Sequence, residues 1–187
     1  MNIKKVLETE RLQLRPWRME DAKALFKYAS DPLVGPIAGW PVHTDVEFSK
    51  QVIKDVFTKE GIYAIVLKGQ EEPIGCIGLL IGEDSDFGIG PDEGEIAYWI
   101  GVPYWGQGLV PEAMRELMRH SFHDLGLKTL WCGYFKGNEK SARAQEKCGF
   151  KYHSTNEDKP WPLMGDIRTE ILTCITKEEW LHQVSDF

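Results

Sequence analysis

Several features that would decide the class of this chain at once are missing. Across its 187 residues no apolar run approaches the ~20 residues that a membrane-spanning helix needs. The opening MNIKKVLETERL has no apolar core of a signal peptide, which predicts a cytoplasmic protein with no membrane partner. Only four cysteines occur, Cys76, Cys132, Cys148 and Cys174, scattered and without CxxC spacing. Neither a disulfide scaffold nor a zinc module is expected, and a reducing compartment fits. Basic side chains are in deficit, 22 against 29 acidic, for a net charge of −7. That balance argues against a non-specific nucleic-acid binder and against adhesion to anionic lipid. A cationic substrate is the charge class it accommodates.

Aromatic residues, by contrast, are plentiful: seven Trp, six Tyr and eight Phe, which excludes a disordered chain. At roughly 150 residues per domain the length predicts one domain over residues 1–187, and no repeat or linker interrupts it. RLQLRP (11–16) alternates as a strand and stops at a proline. Met19 to Ser30 has helical spacing, Gly35 to Pro41 reads as a loop, and Thr44 to Thr58 reads as a helix. In that helix Val46, Ile53, Val56 and Phe57 are expected inside, and Thr44 with Glu47 has the form of a capping box. IYAIVL (62–67) and PIGCIGLLI (73–81) form an expected antiparallel hairpin. Glu95 to Val102, a helix from about Pro111 to Leu125, and Leu127 to Phe135 make a strand–helix–strand unit with parallel strands. A short helix follows at Asn138–Cys148, then FKYH and Asp166 to Thr176 as strands and a terminal helical turn. The fold class is α+β.

The informative stretch is WIGVPYWGQGLVPEAM (99–114). A strand enters a loop with Gly106 and Gly108, and Pro111 sits in the first turn of the next helix. Backbone N–H groups and the positive helix end converge there, as an anion site requires. A dinucleotide fingerprint is contradicted by Pro111 in the third glycine position, and the GxxxxGK[ST] of a P-loop is absent. A coenzyme A pyrophosphate cradle and a glycine turn without a ligand are the readings left.

The neighbouring motifs resemble the GNAT superfamily of acyl-CoA-dependent N-acetyltransferases. Its [RQ]xxGx[GA] motif falls on Trp105-Gly106-Gln107-Gly108-Leu109-Val110, with Gly108 kept and Trp105 and Val110 departing. Those departures, followed by Glu112-Ala113, resemble the RimJ/RimL branch of ribosomal-protein N-terminal acetyltransferases. TERLQLRPW with Asp21-Ala22, and GNEKSARAQEKCGF (137–150), are similar to further motifs of that branch. The resemblance, over residues 8–176, implies a single mixed, mostly antiparallel sheet with flanking helices around the parallel unit. It implies acetyl transfer from acetyl-CoA to a primary amine, a protein N-terminus or a small molecule, by direct attack in a ternary complex. The alternative is a CoA-binding sensor that has lost catalysis.

The same resemblance sets the pantetheine arm against Ile100, Gly101 and Val102, where a splayed strand edge offers N–H donors for the developing oxyanion. Trp105, Gly106, Gln107, Gly108, Leu109 and Val110 would hold the pyrophosphate, Asn138 the pantetheine, and Lys147 a phosphate. Ser141 would lie near the thioester sulfur, and Gln145 stands where many members carry a tyrosine acid. Glu95 is the candidate base, desolvated among Ile96, Tyr98 and Ile100. Trp40, His43 and Trp99 are candidates for the acceptor slot, with cation–π attraction available. No metal is expected: Asp84, Asp86 and Asp92 lack calcium-loop spacing, and His120, His123 and Glu116 have no further ligand. The chain is expected as a monomer or homodimer.

Overall fold

A computed structural model describes residues 5–185. Its strands are β1 (Leu7–Glu8), β2 (Leu12–Pro16), β3 (Ile62–Leu67), β4 (Pro73–Ile81), β5 (Glu93–Ile100), β6 (Thr129–Phe135), β7 (Lys151–Trp161) and β8 (Asp166–Thr176). They form one sheet in the order β1-β2-β3-β4-β5-β6-β8-β7, antiparallel throughout except for the β5–β6 pair. Three helices lie between β2 and β3: α1 (Ala22–Ala29), the single turn α2 (Gly35–Ala38) and α3 (Val46–Val52). The helix α4 (Leu109–Arg119) joins β5 to β6, α5 (Glu139–Lys147) joins β6 to β7, and α6 (Lys177–Ser185) follows β8. No helix among the described residues is long and apolar enough to cross a membrane.

Two apolar layers sandwich the sheet. On one face Leu12, Leu14, Tyr63, Ile65, Ile77, Leu79 and Ile96 pack with Leu109, Met114, Leu117 and Phe122 of the α4 segment. On the other, Ala64, Val66 and Cys76 pack with Leu25 and Ala29 of α1 and with Ile53 beyond α3. Strand β3 supplies both layers, so IYAIVL is an unbroken apolar run rather than an alternating one. Arg15 and Asp21, 4% and 7% exposed, close a buried bidentate pair of 2.7 and 2.8 Å that ties β2 to the turn before α1. The remaining Arg15 donor capacity reaches the Glu71 carbonyl at 2.8 Å.

The expected elements are present, with local differences that have physical causes. The 35–41 loop contains α2: Pro36 suits a first helical turn, and Gly39 at φ +96° supplies its left-handed end. Asp45, not Thr44, caps α3, since its carboxylate accepts from the Phe48 N–H at 2.7 Å. Val56 is 46% exposed because α3 runs out through a wider π-type turn at Ile53–Phe57, which rotates the following residues outward. Strand β5 covers 93–100, two residues earlier than read, and β7 extends to Trp161 because β8 offers it a full-length partner.

Candidate active site

The site begins with a parting of strands. The parallel pairing of β5 with β6 covers only Glu93↔Thr129, Gly94↔Leu130 and Glu95↔Trp131. Beyond it β5 stays with β4 as far as Gly75↔Ile100, while β6 stays with β8 as far as Phe135↔Glu170. The two inner edges therefore diverge, and their backbone groups need other partners. The Cys132 thiol donates to the Ile96 carbonyl at 3.0 Å, the Gln145 amide to Gly133 at 3.2 Å, and the Trp105 indole to Ile100 at 2.9 Å. Burial holds the Cys132 thiol well above its ordinary value, so it stays protonated and able to donate. The Gly101 N–H is already bonded to Ile74 at 2.8 Å. By the alternation of an antiparallel ladder, the N–H groups of Tyr98 and Ile100 turn the other way, into the split. Gly101 is thereby removed as an N–H donor, and Val102 lies beyond the strand in a tight turn over Val102–Tyr104.

A groove of about 450 Å³ runs from this split. Gly106, Gly108, Leu109 and Val110 form one end, Asn138, Ser141 and Lys147 one side, and Tyr98, Trp99 and Ile100 the floor. At the loop end Gly106 and Gly108 both have φ +74°, a conformation open to glycine at little cost. Gly108 is the N-cap of α4, whose 11 residues start at Leu109. A Cβ on Gly106 would meet nothing within 4 Å, so the loop backbone faces open space. Among the described residues the N–H groups of 106–110 have no backbone acceptor, and Pro111 beyond them has no N–H at all. Glu112, in the first turn, would repel an anion, but Thr9 and Arg11 hold its carboxylate at 2.5–2.8 Å. Arg11 also donates to the Gln107 carbonyl at 3.0 Å, latching the loop to β2. Sequence reading missed this role, although Arg11 and Glu112 both lie in quoted motifs. These glycines, free amides and a neutralised first turn fit a pyrophosphate group.

Along the α5 side Asn138 caps the helix, accepting from the Ser141 N–H at 3.2 Å while remaining on the groove wall. Lys140 lies 3.8 Å from the Trp105 ring centre, stacking the exposed cation on the indole that closes β5. Ser141 Oγ sits 2.7 Å from the Tyr98 hydroxyl and 3.2 Å from the Gln145 amide nitrogen. Lys147 is exposed at the rim.

The opposite face of β5 carries Glu95, Ala97 and Trp99. Glu95 accepts from the Ser85 hydroxyl at 2.6 Å and is not on the groove wall. Burial pushes its carboxyl above the usual range; Ser85 and Lys159 pull it down, and Asp86 and Glu170 push it up. Glu170, 4% exposed, is paired with Lys159 at 2.6 Å. It was invisible to sequence reading because it stands on the polar side of an alternating strand, buried only when β7 folds over. Trp99 reaches the groove, and Trp40 packs behind it with ring centres 5.8 Å apart. His43 is buried, 2.8 Å from Ser49 Oγ, its pKa lowered to about 4 by desolvation. It supports Trp40 at 5.5 Å rather than lining the groove. Trp161 donates to the Gly39 carbonyl at 2.6 Å and holds α2 in place. Among the described residues no cluster of three or more His, Cys, Asp or Glu side chains is arranged for a metal ion.

Residues 11–151 match the acetyltransferase (GNAT) domain family. The chain belongs to this family, and acetyl transfer with acetyl-CoA is the general activity that goes with it. An uncharacterized N-acetyltransferase, p20 of Bacillus licheniformis, is 32% identical over 130 residues, which cover 66% of this chain and 70% of that protein. A GNAT-family acetyltransferase structure from Bacillus anthracis superposes with a TM-score of 0.78 at 20% identity, covering 94% of this chain and 100% of the other. The ribosomal-protein-S5-alanine acetyltransferase of Vibrio fischeri gives 0.72 at 21% identity, covering 94% and 98%. At such identities the two structures speak for the fold alone.

Proposed function

We infer that the protein transfers the acetyl group of acetyl-CoA to a primary amine, by direct attack within a ternary complex. The observation that carries this reading is the split beside Glu95↔Trp131, which opens onto a groove ending at the free amides of Gly106–Val110. Acetyl-CoA supplies an activated acetyl thioester; the protein supplies position and protons. The amides of 106–110 and the α4 dipole hold the pyrophosphate. Asn138 and the backbone of Ile100 take the pantetheine, and Lys147 with its exposed neighbours Lys140 and Arg143 meets outer phosphate. The N–H of Tyr98 or Ile100, aimed into the split, steadies the carbonyl oxygen as it gathers charge.

Glu95 is the base. An ammonium must lose a proton before it attacks, and a carboxylate desolvated above its usual range is better matched to that task near neutral pH. Three strand steps separate it from Tyr98, about 10 Å, so the proton travels through water. Trp99, backed by Trp40 and His43, forms the acceptor wall. The acceptor is a protein N-terminal α-amine, as the RimJ/RimL branch implies, or a small-molecule amine; Trp105-Gly106-Gln107-Gly108 and Glu112-Ala113 support the branch reading.

Thiol release from acetyl-CoA across a panel of small amines and N-terminal peptides tests the reading. Saturable release with intersecting double-reciprocal lines is the expected result. Parallel lines would replace direct attack by a covalent route, and tight CoA binding without turnover on any acceptor would make the protein a CoA sensor.

A further inference from the structure

We propose that Tyr98 and Gln145 are positioning residues that leave the Ser141 hydroxyl free to donate into the groove, toward the sulfur of the departing CoA. The proposal rests on the acetyl-CoA reading above. It answers the lack of a tyrosine at position 145, where Gln145 stands instead, with a tyrosine brought from β5.

The Gly133 carbonyl can only accept, so the Gln145 atom 3.2 Å from it is the amide nitrogen. Thr173 Oγ1, 2.8 Å from Gln145 Oε1, is consistent with that orientation. The second N–H of Gln145 then points at Ser141 Oγ at 3.2 Å and the Tyr98 oxygen at 3.4 Å. Between Tyr98 and Ser141, 2.7 Å apart, the phenol is the weaker acceptor, because its oxygen lone pair is delocalised into the ring, and so it is the donor. With Tyr98 and Gln145 both donating to it, Ser141 Oγ has its lone pairs engaged and its own hydrogen unspent. Ser141 is on the groove wall, and that hydrogen turns there. The competing arrangement, with Tyr98 donating to the Ser141 carbonyl, uses a longer contact of 3.2 Å to an oxygen already serving the helix.

Burial pushes the Tyr98 phenol well up, so it keeps its proton. Ser141 likewise keeps its own. The nitrogen–carbon bond forms, the carbon–sulfur bond breaks with its electron pair going to sulfur, and the amine proton leaves through water to Glu95. Ser141 steadies the thiolate by a hydrogen bond, and CoA takes up a proton from solvent after release.

CoA itself is the probe for the first test. Ultraviolet titration of the thiol of bound CoA should show that Tyr98→Phe and Ser141→Ala each raise its proton affinity by a similar factor, about tenfold. A Tyr98→Phe titration identical to wild type overturns the proposal. In acetyl transfer, Tyr98→Phe should lower kcat about tenfold with KM for acetyl-CoA within about twofold, and adding it to Ser141→Ala should cost nothing more. Multiplicative losses in the double variant, or an effect confined to KM, would make Tyr98 a packing residue only and overturn the proposal. Should Tyr98→Phe fail to fold, Gln145→Met removes the other donor and must displace the thiol titration in the same direction. If the wild type binds CoA but acetylates no amine, the transferase reading fails while the thiol titration still decides Tyr98. If it binds no CoA, both fail.

Discussion

The two halves of the sheet are built to opposite ends. From β1 to β4 the strands stay paired, with one bulge at Ile65/Val66, both faces of β3 are covered, and the Arg15–Asp21 pair is sealed inside. Between β5 and β6 the sheet opens, Gly133 lies beneath Phe87, and the side chains of Cys132 on β6, Gln145 on α5 and Trp105 in the loop bond to carbonyls of the parted edges. The second half gives up ladder bonds for a groove, and a carboxylate is held there out of water at a cost in stability. A site can be this open because the neighbouring half is closed.

Asp21→Ala should produce the largest effect. Removing one partner leaves Arg15 charged and buried, at a cost of about 3–5 kcal/mol in chemical denaturation. Acetyl transfer per folded molecule should be unchanged, and a fall in kcat of the folded fraction would break the division between the halves. Glu95→Gln should do the reverse, lowering kcat by about a hundredfold where the wild-type carboxylate is ionised. Its stability sign follows from the raised folded pKa: the native state binds the Glu95 proton more tightly than the unfolded chain, so stability is lost as pH rises through that pKa. The Gln variant should therefore melt higher than wild type at neutral pH, the difference vanishing below the ordinary carboxylate value of 4.5. A lower melting temperature would contradict a carboxylate stored at a cost.

Gly108→Val forces a β-branched residue to φ +74° at the α4 N-cap. With roughly 1–2 kcal/mol of strain to relieve, the loop should shift and acetyl-CoA affinity fall by about tenfold in calorimetry. Unchanged affinity would dissociate the cradle from cofactor binding. The smallest effect belongs to His43. Its pKa, lowered to about 4, keeps the ring neutral, so it contributes stability above 6.5 that is lost as pH falls toward 4. Proton NMR should find no His43 titration between pH 5 and 8; a transition there would mean the ring is hydrated and belongs to the open half.

Much of the architecture was legible in the chain. Strands β3, β4 and β8 fall on the residues that apolar runs and alternation mark out, and α5 with its Asn138 cap does likewise. The glycine loop was legible too, because left-handed glycines beside a helix start are a local property of backbone conformation. Less legible were features set by distant neighbours. Asp45 caps α3 because the helix begins at Val46, one residue later than the Thr44 cap requires, and α2 is held by Trp161 and Arg168 from the far end of the chain. Among the candidate acceptor residues, His43 and Trp40 are in line as support, and Trp99 alone of the three reaches the groove.

What the sequence by itself determined is therefore the order of elements, the family and the glycine loop before α4, since each depends on residues within a few positions of one another. Only the tertiary structure decided where β5 and β6 part, which N–H groups face the gap, and that Tyr98 meets Ser141 across 43 positions. Hydrogen bonds between distant residues carry no local signature; they exist only once two layers have packed and the sheet between them has opened.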